Sequence, residues 1–249
     1  MDTTTYVALA AQVALQKELE TVANNVANAN TAGFKADRSF FESFMEPLQG
    51  PGGGVSFVQD AATYIDQASG PIEVTSNPLD LALDGQGYFA VATAVGTEYT
   101  RNGHLRVGPD GSLVDSNGRN VLGTDGSPIQ MPDGFESPEV KNNGKLLVTV
   151  NGRQQDVAQI GIFRATNANL VRKAGDGLLT APQGEMQPVT PDDGGARIVQ
   201  GSIEGSTVQP MKEIANMTEL TRAYERLQSM LQNESDRERK MIDTLGHPT

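Results

Sequence analysis

The sequence predicts an α+β, multi-domain protein with a β-rich middle domain, barrel- or sandwich-like, carried on a coiled-coil-like stalk of N- and C-terminal α-helices. The first observation is that residues 3–30 contain no glycine or proline and are rich in Ala, Leu, Gln and Glu, as helices are. The second is that residues 71–200 alternate short apolar runs with turn pairs such as Asn102-Gly103 and Asn151-Gly152, which indicates strands and hairpins. The third is that helical periodicity returns after residue 205.

These changes of pattern divide the chain into four segments. We expect an N-terminal stalk helix at 1–35, an extended linker or hairpin at 36–70, a β-rich domain at 71–203 and a C-terminal stalk helix at 204–249. A glycine-rich breaker at 49–54 interrupts the predicted linker.

Composition limits the functions that the chain can have. It has 249 residues, a formal net charge of -12, no cysteine and two histidines. Disulfides, thiolate metal sites and multi-histidine metal centres are therefore excluded. A strongly acidic surface also repels phosphate backbones and anionic headgroups, which disfavours nucleic acid and membrane surfaces as partners. A structural or binding protein without metal or cofactor is the expectation.

The first fifteen residues do not predict a signal peptide or a membrane span. Residues 6–15 are largely apolar, but the first basic residue is Lys17, so the positive region that precedes a signal sequence is missing. No run approaches the roughly 20 apolar residues of a membrane helix. We expect no membrane insertion and no cleaved signal peptide, so that any export uses another route.

Each terminal helix carries one narrow apolar seam. In the N-terminal helix, the apolar half of the seam includes Leu19, Val22 and Val26. In the C-terminal helix, positions spaced 3, 4, 3 and 4 apart are Met217, Leu220, Tyr224, Leu227 and Leu231. Such a helix needs a partner. Two interpretations stay open: the helices dock on each other or on the β domain, or they pair with helices of other subunits.

The segment at 23–35 is unusually rich in asparagine. Asn24, Asn28 and Thr31 follow one another at i, i+4 and i+7 and form a polar stripe beside the apolar seam. One interpretation is a hydrogen-bonding ladder that fixes helix register, and the other is a fraying helix end. Gly33 can adopt a left-handed conformation that ends a helix, and Phe34 can fold back as its apolar contact.

Catalytic and cofactor motifs are weak in this chain. Gly85-Gln86-Gly87 precedes a β-like run instead of the helix that a dinucleotide site requires. The Asp-Gly turns lack the spacing of calcium loops, and His104 has no recognisable nucleophile near it in sequence. No catalytic residue, metal ligand or cofactor-binding residue is predicted. An unrelated β-domain hydrolase stays as a distant alternative, which would require a convergent polar cleft.

Three motifs resemble those of one known family. Residues 24–35 read NNVANANTAGFK, which looks like the N-terminal signature of flagellar basal-body rod and hook proteins. Residues 204–210 (EGSTVQP) and 217–225 (MTELTRAYE) resemble the C-terminal signature. NPLDLALDGQGYF at 77–89 and YTRNG at 99–103 resemble the middle. Thr207 departs from the asparagine that is usual there, keeping a hydroxyl group but losing the amide.

The resemblance implies a non-catalytic structural subunit of the flagellar rod, closest to its proximal-rod members, with distal-rod or hook-type subunits as the alternative. It further implies helical assembly with proximal and distal rod subunits, export through the flagellar export apparatus and a place in the periplasmic rod that transmits torque. The seams and the signatures together predict one assembly interface, formed by Leu19, Val22, Asn24, Asn25, Val26, Asn28, Asn30, Thr31, Gly33, Phe34, Ser206, Val208, Met217, Leu220, Tyr224, Leu227 and Leu231.

Overall fold

The computed structural model describes residues 3–46, 55–191 and 194–246. The chain divides into two compact units. The helical unit comprises Met1–Ala27, Asp37–Tyr64 and Gln209–Thr249, and the β unit comprises Asn28–Ala36 and Ile65–Val208. The predicted breaker at 49–54 lies outside the described residues.

The helical unit contains two long helices and one strand pair. Helix α1 spans Thr3–Ala27 and helix α2 spans Pro210–Gly246. Proline suits the first position of α2 because its backbone nitrogen would have no partner inside the helix. Strands β1 (Asp37–Glu46) and β2 (Val55–Ile65) form a two-stranded sheet. Among the described residues, no helix is long and apolar enough to cross a membrane.

The β unit is built from short strands joined by turns, as the sequence predicts. Its strands are β3 Ile72–Val74, β4 Leu81–Asp84, β5 Tyr88–Thr93, β6 Gly96–Thr100, β7 Arg106–Val107, β8 Leu113–Val114, β9 Glu136–Val140, β10 Lys145–Val150, β11 Arg153–Gln159, β12 Ile162–Ala165, β13 Arg172–Gly175, β14 Leu178–Thr180, β15 Met186–Pro188, β16 Arg197–Gln200 and β17 Ser202–Glu204, with a 3-10 turn at Ala168–Leu170.

The strands form several small sheets. The largest has six strands in the order β13-β14-β6-β5-β12-β15, and β11-β10-β9 form a three-stranded sheet. Smaller pairs are β16-β4, β17-β3 and β7-β8. In the described part of the chain the six-stranded sheet stays open, with β13 and β15 at opposite edges. The prediction of a barrel-like middle domain is therefore wrong. Closing a barrel requires continuous, regularly staggered pairing, whereas β14 meets β6 at a single residue pair, Leu179 with Tyr99.

The largest apolar cluster of the β unit, among the described residues, includes residues of β4 and β5. Strands β4 and β5 contribute consecutive buried residues, and Leu83, Phe89 and Val91 have no exposed surface. The turn pair Asn151-Gly152 joins β10 to β11, and both residues have positive φ, 51° and 74°. These angles are typical of a tight hairpin turn that follows the twist of its strands. The hairpin predicted at this point is confirmed.

Candidate assembly site

The predicted seams are the more covered faces of the two helices. On α2 the half-buried positions include all five predicted residues: Met217, Leu220, Tyr224, Leu227 and Leu231. On α1, Val22 is buried, and Leu19 and Val26 are half-buried. The side-chain amide of Gln12 donates a hydrogen bond to the Tyr224 hydroxyl at 2.9 Å. Helices α1 and α2 therefore contact each other within the chain, as in the first of the two interpretations.

The opposite faces of the same helices expose apolar side chains. On α1, Leu9 and Val13 are 52% and 61% exposed, one turn apart. On α2, Met211 and Met230, at helical positions away from the seam, are 80% and 52% exposed. Large exposed apolar side chains at helical spacing are typical of a surface that a partner covers.

Asn25 is the buried asparagine of the Asn-rich segment. Its side-chain nitrogen donates to the Asp37 carbonyl at 2.9 Å, and its side-chain oxygen accepts from the Asp37 backbone nitrogen, also at 2.9 Å. Asn25 thus satisfies both backbone groups of the first residue of β1. Asn24 and Asn30 are exposed, and Asn28 is half-buried and accepts from the Thr31 hydroxyl at 3.2 Å. The register-fixing role of Asn24 and Asn28 stays a prediction.

A buried carboxylate stabilises the start of α2. The Glu213 side chain is 1% exposed and receives the guanidinium of Arg38 at 3.0 Å. Glu213 lies in the first helical turn, where a negative charge also interacts favourably with the helix dipole.

Gly33 packs too closely in the β unit for any side chain. It has φ of +68°, and a Cβ atom there would lie 2.4 Å from the carbonyl carbon of Arg101 and from the Asn102 nitrogen. Its own nitrogen donates to the Glu204 carbonyl at 2.8 Å. The left-handed conformation is as predicted, but α1 ends at Ala27, so Gly33 serves this close approach and not the helix terminus.

Phe34 and Val208 meet in a small apolar cluster. Both are buried, together with Ala36, and Ala29 packs against them. The Lys173 ammonium lies 3.9 Å from the centre of the Phe34 ring, a cation-π contact. Residues of the two predicted signatures therefore pack together in the β unit.

Thr207 supports the same contact through its hydroxyl. The hydroxyl accepts from the Ala36 backbone nitrogen at 2.9 Å, and the Thr207 nitrogen donates to the Phe34 carbonyl at 3.0 Å. The hydroxyl of Ser206 accepts from the Val208 nitrogen at 3.2 Å. A threonine therefore serves as the acceptor at a position where the resemblance leads one to expect asparagine.

A cluster of three buried charges, the Glu204 cluster, lies beside these contacts. Its members are Lys35, Arg101 and Glu204, whose side chains are at most 2% exposed. Glu204 receives the Lys35 ammonium at 2.7 Å on one carboxylate oxygen and the Arg101 guanidinium at 2.8 Å on the other. The Gly70 nitrogen also donates to the carboxylate at 2.8 Å. The cluster joins one residue from each of the three motif regions.

Burial sets the electrostatics of the cluster. Desolvation is the main effect that lowers the pKa of Lys35, repulsion from Arg101 adds to it, and Glu204 opposes both. Burial also raises the pKa of Tyr88, whose ring lies 5.4 Å from the Arg101 guanidinium carbon. Removing one member of such a buried set leaves an uncompensated charge, which is strongly destabilising.

The sequence analysis did not single out Lys35, Arg101, Glu204, Arg38 or Glu213. Lys35, Arg101 and Glu204 all lie within the stretches that carry the family resemblance. A charged residue next to the apolar positions of these stretches was the signal that could have identified each of them. The predicted interface residues Gly33, Phe34, Ser206 and Val208 all lie near this cluster, in the β unit. Within the described residues, no group of three His, Cys, Asp or Glu side chains is arranged to hold a metal ion.

Comparison with known protein families gives three matches along the chain. Residues 6–35 match the flagella basal body rod protein family, residues 82–148 match the flagellar hook protein FlgE/F/G D1 domain, and residues 199–244 match the flagellar basal body rod FlgEFG protein C-terminal family.

Curated relatives are similar over nearly the whole chain. The flagellar basal-body rod protein FlgF of Mesorhizobium japonicum is 36% identical and that of Caulobacter vibrioides 35% identical, each over 99% of both chains. The flagellar basal-body rod protein FlgG of Bacillus subtilis is 31% identical over 84% of this chain and 86% of its own length.

Proposed function

The chain belongs to the flagellar basal-body rod protein family as a FlgF-like structural subunit, and we propose that it forms part of the proximal rod. Family membership places it in the flagellar basal body, in assembly with other rod and hook proteins. The observation that carries the proximal assignment is the match to FlgF relatives over 99% of both chains, against 84% of this chain for a FlgG relative. A distal-rod or hook-type subunit is the second candidate.

The helices supply the proposed means of assembly. The seam of α2, centred on Leu220, Tyr224 and Leu227, faces α1 and holds the two helices together. The exposed apolar side chains of α1 and α2 then contact helices of neighbouring subunits in a coiled-coil-like stalk. Head-to-tail contacts between two different surfaces of one subunit generate a helical filament when they do not close into a ring.

The four predicted segments take roles within this assembly. The helices within the segments at 1–35 and 204–249 act as the stalk, the segment at 36–70 connects it to the β-rich domain at 71–203, and the stalks of neighbouring subunits pack into a tube. Torque passes from subunit to subunit through the stalk. In this proposal, the predicted interface residues of the two signatures, such as Gly33, Phe34, Ser206 and Val208, hold the chain segments next to the stalk helices in a defined geometry.

The proposal includes no catalysis and no cofactor. Its support is that two buried carboxylates are engaged in ion pairs: Glu204 with Lys35 and Arg101, and Glu213 with Arg38. Groups engaged in this way are not available as an acid, a base or a nucleophile. Nucleic acid is likewise not a proposed partner, because the net charge of -12 repels it.

Export and location follow from the same scheme. We expect the chain to pass through the flagellar export apparatus without a cleaved signal peptide and to join the rod in the periplasm, without inserting into a membrane.

A labelling experiment tests the proximal assignment. A short epitope inserted at the exposed hairpin turn Asn151-Gly152 leaves the helices and the Glu204 cluster intact. In basal bodies isolated from a strain that carries this version, immunogold particles should mark the part of the rod nearest the motor, while a tagged distal-rod subunit marks the other end. Label confined to the distal rod or the hook would overturn the assignment.

A further inference from the structure

A small cavity lies beside Arg101 in the β unit. Its volume is about 50 Å³, and its polar lining comes from Gln67, Gln86, Tyr88, Arg101 and Arg164. One water molecule requires at least about 10–15 Å³ of such space, so the cavity accepts a few waters or a small ion. Organic ligands occupy pockets of about 300–1,000 Å³ and are excluded by size.

Arg101, which lines the cavity, has one hydrogen-bond donor without an acceptor in the described part of the chain. The terminal nitrogens of Arg101 donate to Glu204, to the Leu83 carbonyl at 3.2 Å and to the Gly85 carbonyl at 2.6 Å. The Nε atom of Arg101 is buried and has no partner among the described residues. Buried N–H groups without an acceptor are rare in proteins, and an ordered water or ion usually completes them.

The charges around this cavity favour an anion over a neutral acceptor. The Glu204 cluster holds two cations and a single carboxylate, and all three side chains are at most 2% exposed. Arg164 adds a second guanidinium to the cavity lining, and no lining residue carries a carboxylate. Asp66 attracts Lys35 electrostatically but does not line the cavity. A buried charge without compensation costs free energy, which a bound anion would recover.

We propose that this cavity binds a small monovalent anion of halide type, held by Arg101 Nε and the guanidinium group of Arg164. The bound anion completes the hydrogen bonding of Arg101 and adds a negative charge to a cavity that two guanidinium groups and no carboxylate line. Because that cluster joins Lys35 to Glu204, 169 residues apart, the anion stabilises the contact between the two signature segments. The stability of this rod subunit therefore depends on halide concentration.

Bromide is a direct probe because its anomalous scattering distinguishes it from water. Crystals of the full chain soaked in sodium bromide should show an anomalous peak within hydrogen-bonding distance of Arg101 Nε. Ordered water alone in the cavity, or bromide found at other surface positions only, would overturn the proposal.

Thermal unfolding of the full chain provides a second test in solution. Sodium chloride should raise Tm above its value in sodium gluconate of equal ionic strength, by about 3 °C when the halide is in tenfold excess over its dissociation constant. Arg164→Gln should abolish this difference. Arg153→Gln, at an exposed arginine that does not line the cavity, should keep it. An unchanged halide effect in Arg164→Gln, or equal Tm values of the wild type in the two salts, would contradict the proposal.

Discussion

At the scale of single residues, Glu204 is the centre of a buried polar network in the β unit. It combines two ion pairs and a backbone hydrogen bond in a side chain with no exposed surface. Taking three charged groups out of water is costly, and that cost is offset only while each group keeps its partners. The network therefore contributes strongly to a single geometry for the segments that contain Lys35 and Glu204.

Glu204→Gln tests this dependence. The substitution keeps the shape of the side chain but removes the carboxylate charge that Lys35 and Arg101 both contact, so the free energy of unfolding should fall by about 3–5 kcal/mol. Urea denaturation of the full chain measures the change. Glu73→Gln, at an exposed position on β3, is the matched control and should change stability by less than about 0.5 kcal/mol. If Glu204→Gln lowers the free energy of unfolding by less than about 1 kcal/mol, the Glu204 cluster contributes little to stability.

At the scale of elements, α2 has two faces with different tasks. Its seam contacts α1 within the chain, and exposed apolar side chains such as Met211 lie on the face away from the seam. A helix that is half-covered in this way derives its stability mainly from packing and not from intrinsic propensity. Damage to the seam should therefore open the helix pair before it affects the strands of the β unit.

Leu220→Asp combined with Leu227→Asp tests the role of the seam. Burial of each leucine contributes up to about 1.5–3 kcal/mol, and a carboxylate in the seam adds a desolvation cost. We expect fast hydrogen exchange in α1 and α2, retained protection in the β unit, and loss of motility with rods that end early. The paired change Gln228→Asp with Ser235→Asp, one heptad apart at exposed positions, should leave exchange and motility unchanged. Normal rods in the seam variant would refute the proposed stalk.

At the scale of the whole molecule, the net charge of -12 opposes association of identical copies. Like-charged proteins repel over about a Debye length, which is about 10 Å at 0.1 M salt and shorter at higher concentration. Assembly through apolar helix faces must overcome this repulsion, so it should be favoured where salt screens the charges.

Self-association of the purified chain should accordingly increase with ionic strength. Sedimentation velocity across a sodium chloride series at constant protein concentration should show a rising average mass, and the Leu220→Asp, Leu227→Asp variant should respond less. A mass that falls with added salt would indicate that ion pairs, and not apolar faces, hold the copies together.

Local patterns in the sequence were sufficient to predict the helices, the β-rich middle and the half-buried positions of α2. These features depend on the spacing of apolar residues within a few helical turns or one strand, and a short stretch of sequence contains all of that spacing. The Asn151-Gly152 hairpin belongs to the same class, because the positive φ of both residues is a property of that dipeptide.

Only the tertiary structure decided which polar residues are buried and how the strands connect. Asn24 and Asn25 are equivalent by composition, but Asn25 is buried and hydrogen-bonded to the backbone of Asp37, whereas Asn24 is exposed. Glu204 meets Arg101 across 103 residues and Lys35 across 169, and the largest sheet stays open instead of closing into a barrel. Contacts at such separations depend on strand order and packing, which no local periodicity encodes.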